Sequence, residues 1–449
     1  MAIIIPNYIR KYVPFILLAI VFALATLIRI WAAPLSAGPD VGQFWAFAKT
    51  FQEHGLDFYR YASGKGAIFP IQGWSFVYPP IWLLILGLAL VVTPLSTVSS
   101  SFIDTSWRVA MKNPLILSDL AIGGLLFWAI PGSKYRKLLF ASLWLLNPAA
   151  WYESAVFGQF DTIAAAFLLV SVIMLERRKD WLAFMFAGLA LLTKQHTVFS
   201  IVFMVIAGAR LMSRQRLLYN CLIMFGLVVV FSVPFMITGN FLAYFRALLL
   251  SMSSPAYHFP LMFSFSGSAS LLTYLHNTLG WQTLGLIQWS TAIFIVALTV
   301  AGVFCYRKSI SPAQGILVGM LLFVALYYRI NYQYLIIFIP IALFVAAKTP
   351  YKSERAIALA VALFPAIWVW LFNDSAWFYN FSPVAPQGNG ILARLWLSHA
   401  DLPDYAYVAF SVILMCLCLT YIILTFTRWH HKSPYVRQNT TKQNEPAYR

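Results

Sequence analysis

Four short polar clusters interrupt an otherwise apolar chain, and each holds residue types able to do chemistry. The first is Ala37-Gly38-Pro39-Asp40-Val41-Gly42-Gln43-Phe44, placed just after the first long apolar run. A carboxylate beside an apolar wall stays ionised but poorly solvated, which suits a general base. Asp40 equally fits a helix N-cap ahead of Val41 to Phe44. The second is Glu153 with Gly158-Gln159-Phe160-Asp161, a polar turn able to hydrogen-bond sugar hydroxyls, or a plain structural turn with Asp161 as a cap. The third is Thr193-Lys194-Gln195-His196, where a lysine suits an anionic headgroup such as phosphate or snorkels to the interface. The fourth is Arg329-Ile330-Asn331-Tyr332-Gln333-Tyr334, whose arginine can fork onto phosphate oxygens or serve with its tyrosines as an interfacial anchor.

The elements that must position these clusters are membrane helices. The chain has 449 residues, 61% hydrophobic and 10% charged, with mean hydropathy +0.77. Soluble domains are nearer half apolar and a quarter charged. We expect an all-α polytopic protein with about 12 transmembrane helices, near 13–33, 113–131, 138–153, 161–176, 181–194, 196–210, 217–238, 284–305, 312–329, 332–348, 355–373 and 405–427. The first run, Val13 to Ala33, reads as a signal-anchor, too long for a cleaved leader. The stretch 78–95 could cross or lie along the interface. Charge decides in favour of the interface. With the N-terminus cytoplasmic and 78–95 not crossing, 21 of the 31 basic residues fall inside, as the positive-inside rule expects. Residues 34–112 then form one long extracytoplasmic loop with juxtamembrane helices. Residues 1–427 form a single transmembrane domain, and 428–449 a cytoplasmic basic tail.

On this topology all four clusters face the same, non-cytoplasmic side. The helices flanking Lys194 have only about 14 residues, roughly 21 Å against a hydrocarbon core of roughly 30 Å. Their turn therefore sits below the outer surface, where a lysine is tolerated only in protein or beside a watery cavity. Polar residues at such depth are functional candidates. Outer aromatics (Tyr244, Phe245, Tyr257, Phe259; Trp377, Phe378, Tyr379, Phe381) suit an interface.

Several function classes are excluded. The +17 net charge lies in short clusters between spans, which argues against nucleic acid. Ser63-Gly64-Lys65-Gly66 lacks the spacing of a phosphate-cradling loop. No His/Cys cluster has zinc spacing. Cys221, Cys305, Cys416 and Cys418 fall in spans and predict neither disulfide nor thiol chemistry. His54, His258, His276 and His399 read as interfacial. Asn373-Asp374-Ser375 and Asn380-Phe381-Ser382 match the glycosylation acceptor pattern. No internal repeat of the transporter kind is visible.

The pattern resembles the GT-C class of membrane glycosyltransferases, in particular the mannosyltransferases of GPI-anchor synthesis and their polyprenyl-phosphate-mannose-dependent prokaryotic relatives. The resemblance rests on Asp40, Phe44, Gly55-Leu56-Asp57-Phe58-Tyr59, Tyr78-Pro79-Pro80, Ser118-Asp119-Leu120, Asn147-Pro148, Gly158-Gln159-Phe160-Asp161, Lys194 and Arg329 to Tyr334. It covers about 13–210 and returns near 329–340. Eukaryotic relatives usually carry Asp-x-Asp, and here Gly38 replaces the first acid. That weakens a metal-dependent reading, and the class includes single-acid members.

The resemblance implies an inverting hexosyltransferase, mannose-like sugars favoured. Its donor would be a polyprenyl- or dolichyl-phosphate sugar, and its acceptor a lipid-linked glycan, glycolipid or protein. Asp40 is the expected catalytic base, and Lys194 and Arg329 the donor phosphate ligands. Gln43, Tyr78, Glu153, Gln159, Asp161, Gln195, His196, Asn331 and Gln333 are the expected substrate-binding residues. No cofactor and no metal are called for; a divalent metal stays open. The setting would be a prokaryotic plasma membrane or the endoplasmic reticulum, with both termini cytoplasmic. A transporter or flippase of lipid-linked sugars is the main rival, and a surface-polysaccharide ligase or polymerase the second.

Overall fold

The structure, a computed structural model, describes residues 7–99, 102–239, 241–250, 266–308, 310–372 and 403–427. Tyr257, Phe259, His258, His399, the aromatic stretch 377–381, both glycosylation patterns and the basic tail lie outside the described residues.

Among the described residues there is no strand, only an isolated antiparallel bridge between Val98 and Ile103. The helices are α1 (Asn7–Leu35), α2 (Pro39–His54), α3 (Phe58–Tyr61), α4 (Pro80–Val92), α5 (Thr105–Ala129), α6 (Lys134–Leu145), α7 (Pro148–Trp151), α8 (Asp161–Glu176), α9 (Asp180–Thr193) and α10 (Val198–Leu211). There follow α11 (Arg214–Gly239), α12 (Phe241–Leu250), α13 (Gly267–Leu279), α14 (Leu284–Ile287), α15 (Ser290–Arg307), α16 (Pro312–Leu326), α17 (Leu335–Lys348), α18 (Lys352–Leu363), α19 (Pro365–Phe372) and α20 (Asp404–Thr427).

Local sequence explains many of these starts. Asp104 caps α5 by accepting from the Ser106 amide. Asn147 caps α7 through the Ala149 amide with Pro148 in the first turn, which gives the Asn-Pro pair a structural role. Ser311 and Gln314 form a capping box at α16.

Among the described residues, five helical stretches are long and apolar enough to cross a bilayer: Tyr12–Leu35, Thr105–Ala129, Arg214–Thr238, Leu284–Arg307 and Asp404–Thr427. Helix length alone therefore does not supply the expected dozen crossings. The reason is that α8, α9, α10, α16 and α17 have only 16, 14, 14, 15 and 14 residues. Each rises about 21–24 Å, and each begins or ends at an irregular break.

α4 has 13 residues and rises about 20 Å, too short to cross by itself. Leu84, Leu88, Val91 and Val92 are exposed along it, while Trp82, Leu83 and Leu86 are buried. It packs on the rest of the 34–112 loop, whose core is aromatic: Phe44, Phe47, Phe58, Tyr59, Phe69, Phe76 and Trp82, with Phe160 of the turn before α8.

Basic residues tie one end of the bundle together. Arg136 donates to the Ala347 carbonyl and Lys348 pairs with Glu176. Arg178 donates to Leu211 (3.1 Å), and Arg216 pairs with Asp180 (2.8 Å). Arg210 bonds the carbonyls of Cys305 and Ile310, and Lys308 that of Phe426. Clusters far apart in sequence thus share one end. The opposite ends of α8, α9 and α17 carry Asp161, Lys194 and Tyr334.

Candidate active site

Three chain breaks meet at the end away from the basic clusters. The first is the corner between α1 and α2. Gly38, not Asp40, is the N-cap position of α2, because Pro39 fits the first helical turn. Asp40 follows inside that turn, so the cap reading does not hold. The Gly38 amide donates to the Phe157 carbonyl at 3.2 Å. A Cβ on Gly38 would sit 2.3 Å from that oxygen. Glycine here lets two backbones touch.

The second break follows a π-helical turn, Tyr152–Phe157. Such turns recur at functional sites. Gly158 ends it in the left-handed region at φ 79°, and the amides of Gly158 and Gln159 both return to the Glu153 carbonyl at 2.9 Å. This reversal aims the Gln159 side chain at the first break, where its amide donates to the Asp40 carboxylate. Asp161 then opens α8, with Phe160 at the cap position and no side-chain cap bond.

The third break lies between α9 and α10. Lys194 is 1% exposed, and its Nζ lies 3.0 Å from Asp161 Oδ2. Snorkelling is therefore not its role. Its ammonium also faces the rings of Phe160 (4.1 Å), Tyr78 (4.8 Å) and Tyr334 (5.6 Å). His196 stacks on Phe323 and leans on Tyr334, with Nε2 3.9 Å from Asp161 Oδ1.

Asp40, Gln159, Asp161 and Lys194 thus form one network. Burial pushes the Asp40 carboxyl up from 3.8 to about 6, against the opposing pull of the Gln159 hydrogen bond and the Lys194 charge, with Asp161 adding a further upward push. Glu153 is 2% exposed and neither carboxylate oxygen has a hydrogen bond. It lines a water-sized cavity with Tyr332 and Leu335.

The side chains of Gln43 and Gln195 are already hydrogen-bonded within the protein. Gln43 is buried, with its amide bonded to Trp74 O (3.0 Å) and Ile71 N (3.1 Å), so it clamps the loop. Gln195 Nε2 donates to Val77 O (2.8 Å) and Tyr59 Oη to Tyr78 O (2.8 Å), which together fix the Tyr78 ring beside Lys194. Asn331 accepts at its carbonyl from the Tyr334 amide (3.0 Å), and Gln333 is buried in the same turn. Arg329 is exposed, within electrostatic reach of Tyr334 but not in the buried network.

Three buried cations were not singled out from sequence. Arg29 pairs with Asp119 at 2.7 Å, both fully buried. Asp119 also accepts from Ser154 (2.7 Å), so this pair anchors the π-helical turn. A lone arginine inside the first span was the available signal. Lys112 donates to Ser36 O (2.6 Å) and Ala33 O (3.2 Å), capping the end of α1 that leads to Asp40. Arg108 is the third. Among the described residues no group of three or more His, Cys, Asp or Glu could hold a metal ion.

Short broken helices thus converge on a carboxylate–amide–carboxylate–lysine network that is largely enclosed by the protein. A model of glycosyltransferase family 87 matches residues 76–328. The match spans more than half of the chain, and the chain belongs to that family, a membrane glycosyltransferase family of the GT-C type. Asp40 and the α1–α2 corner precede the matched segment. No curated protein matches the chain.

Proposed function

We propose that this glycosyltransferase moves a hexose, mannose-like in the first instance, from a polyprenyl-phosphate sugar to a lipid-linked or protein acceptor with inversion at the anomeric carbon. The observation that carries the reading is the Asp40–Gln159 contact placed beside the buried Asp161–Lys194 pair. Asp40 takes the proton of the acceptor hydroxyl as its oxygen attacks the anomeric carbon. The bond to the phosphate oxygen breaks on the opposite face. Gln159 keeps one carboxylate oxygen oriented toward the acceptor. The leaving phosphate needs positive charge rather than a proton.

The active site faces the non-cytoplasmic side in this reading. Support comes from the basic clusters tied together at the other end of the bundle. A donor there must be lipid-linked, since nucleotide sugars stay in the cytoplasm. The exposed apolar faces of the helices supply the surface along which a prenyl chain would lie.

The test uses purified protein in proteoliposomes with radiolabelled polyprenyl-phosphate hexoses, mannose first, and a lipid extract as acceptor. Covalent transfer of label supports the proposal. Movement of intact donor across the bilayer without transfer supports a flippase instead. Transfer only from diphosphate-linked glycans supports a polysaccharide ligase or polymerase.

A further inference from the structure

Buried acids in this protein have partners. Asp119 pairs with Arg29 (2.7 Å), Asp161 with Lys194 (3.0 Å) and Asp180 with Arg216 (2.8 Å), and Glu354 accepts from the Thr349 hydroxyl (2.6 Å). Glu153 departs from that pattern. It is 2% exposed, and both of its carboxyl oxygens are sealed from solvent with no hydrogen bond. An enclosed polar group without a bond is costly, and one kept at a site calls for a partner.

The main chain around Glu153 is fixed. Its carbonyl accepts the amides of Gly158 and Gln159, both at 2.9 Å, which closes the π-helical turn. Its side chain lines the water-sized cavity between that turn, Tyr332, the start of α17 at Leu335 and the face of α19 at Pro365 and Val369. The cavity borders the network around Asp40. Asp161, Lys194 and Asp40 all act electrostatically on the Glu153 carboxyl, and Asp40 and Asp161 act on the Tyr332 hydroxyl. The Tyr332 ring meets that of Phe157 at 5.3 Å, and the Phe157 carbonyl holds the Gly38 amide at the α1–α2 corner.

Size and chemistry limit what the cavity can take. It has room for one water-sized group, so a sugar ring or a phosphate stays outside and a single substituent enters. A carboxyl enclosed without a bonded cation is better accommodated with its proton on. In that form it both donates and accepts, as a hydroxyl does. An anion would meet no positive charge in the cavity wall, whose other members are apolar apart from Tyr332.

We propose that the cavity beside Glu153 is a subsite for one hydroxyl group of the transferred hexose, and that Glu153 is the residue that recognises it. This rests on the hexose donor proposed above and goes further by naming where the sugar is read. The side chains of Asp40, Asp161 and Lys194 handle the reacting end of the sugar, and Glu153 reads a substituent of the same ring. A site built to bond a hydroxyl rejects an analogue lacking it, because its own polar group is then left unpaired.

The test compares kcat/KM for undecaprenyl-phosphate mannose and its monodeoxy analogues at each hexose position, with a lipid extract as acceptor. Wild type should lose on the order of 10- to 100-fold with one of the analogues. E153M, apolar and of similar length, should level that difference, and E153Q, which still donates and accepts, should keep part of it. Equal losses by E153M on every donor, with the wild-type preference intact, mark a structural role and overturn the subsite. A change confined to the KM of the acceptor places the hydroxyl on the acceptor and overturns it too. Absence of transfer from undecaprenyl-phosphate mannose by wild type overturns the donor itself, and the subsite falls with it. Where E153M does not survive purification, a density map of the wild-type protein with the donor decides. A hexose hydroxyl on Glu153 supports the subsite, and a cavity holding only an ordered water overturns it.

Discussion

Replacing Asp40 with asparagine should make the protein inactive and more stable at once. The Asp40 carboxyl is held at about 6 instead of 3.8, chiefly by burial. A carboxyl raised in the folded state binds its proton more tightly there than in the unfolded chain. Its stabilising contribution is full below 3.8 and is lost as pH rises through about 6. At pH 8 the ionised group therefore costs the fold up to about 3 kcal/mol. The figure is an upper bound, because Asp40 is only partly buried by solvent exposure and water screens it. Asparagine mimics the protonated form and still accepts from Gln159. Transfer by D40N should fall by about 10² to 10⁴, the range for a lost general base. Its apparent melting point should match wild type near pH 4 and exceed it at pH 8. Wild-type transfer should rise about tenfold per pH unit below about 6 and level off above it. The assays are the radiolabelled transfer above and thermal unfolding in detergent at both pH values. Wild-type turnover by D40N would refute the base. A D40N melting point below wild type at pH 8 would refute the desolvation reasoning.

Two further substitutions test the framework. Gly38→Ala places a Cβ 2.3 Å from the Phe157 carbonyl; it should cost about 1–3 kcal/mol and pull Asp40 from Gln159, seen as a lower melting point with transfer reduced even well below that melting point. Arg29→Met strands Asp119 in the core and should cost about 3–5 kcal/mol, whereas the double change R29M/D119L should recover much of it; equal melting points for the single and double variants would contradict this.

The Gly38 result bears on how the resemblance is read. An acid at that place, as in the eukaryotic relatives, would need the corner between α1 and α2 to open. In this chain the missing first acid belongs to a backbone contact, and the remaining carboxylate is the one that Gln159 reaches. Likewise Asn147-Pro148 and the Gly55-to-Tyr59 stretch act here through structure: a helix cap in one case, and a hydroxyl that fixes Tyr78 in the other.

Apolar composition, the break at Lys194 and the basic clusters were legible in the residues alone, because membrane solvation acts on each segment separately. Lipid rejects a charge wherever it falls, so polar turns flanked by short helices announce themselves without knowledge of neighbours. The sequence by itself thus determined a helical membrane protein, the places where its helices break and the candidate acids and cations there. Only the tertiary structure decided which of those groups are spent on one another. Gln43 clamps a loop, Gln195 holds Val77, and Lys194 is already paired with Asp161. The physical reason is that hydrogen bonds and ion pairs need atoms within about 3 Å, and residues 31 to 119 positions apart reach that distance only through the packing of the helices that carry them.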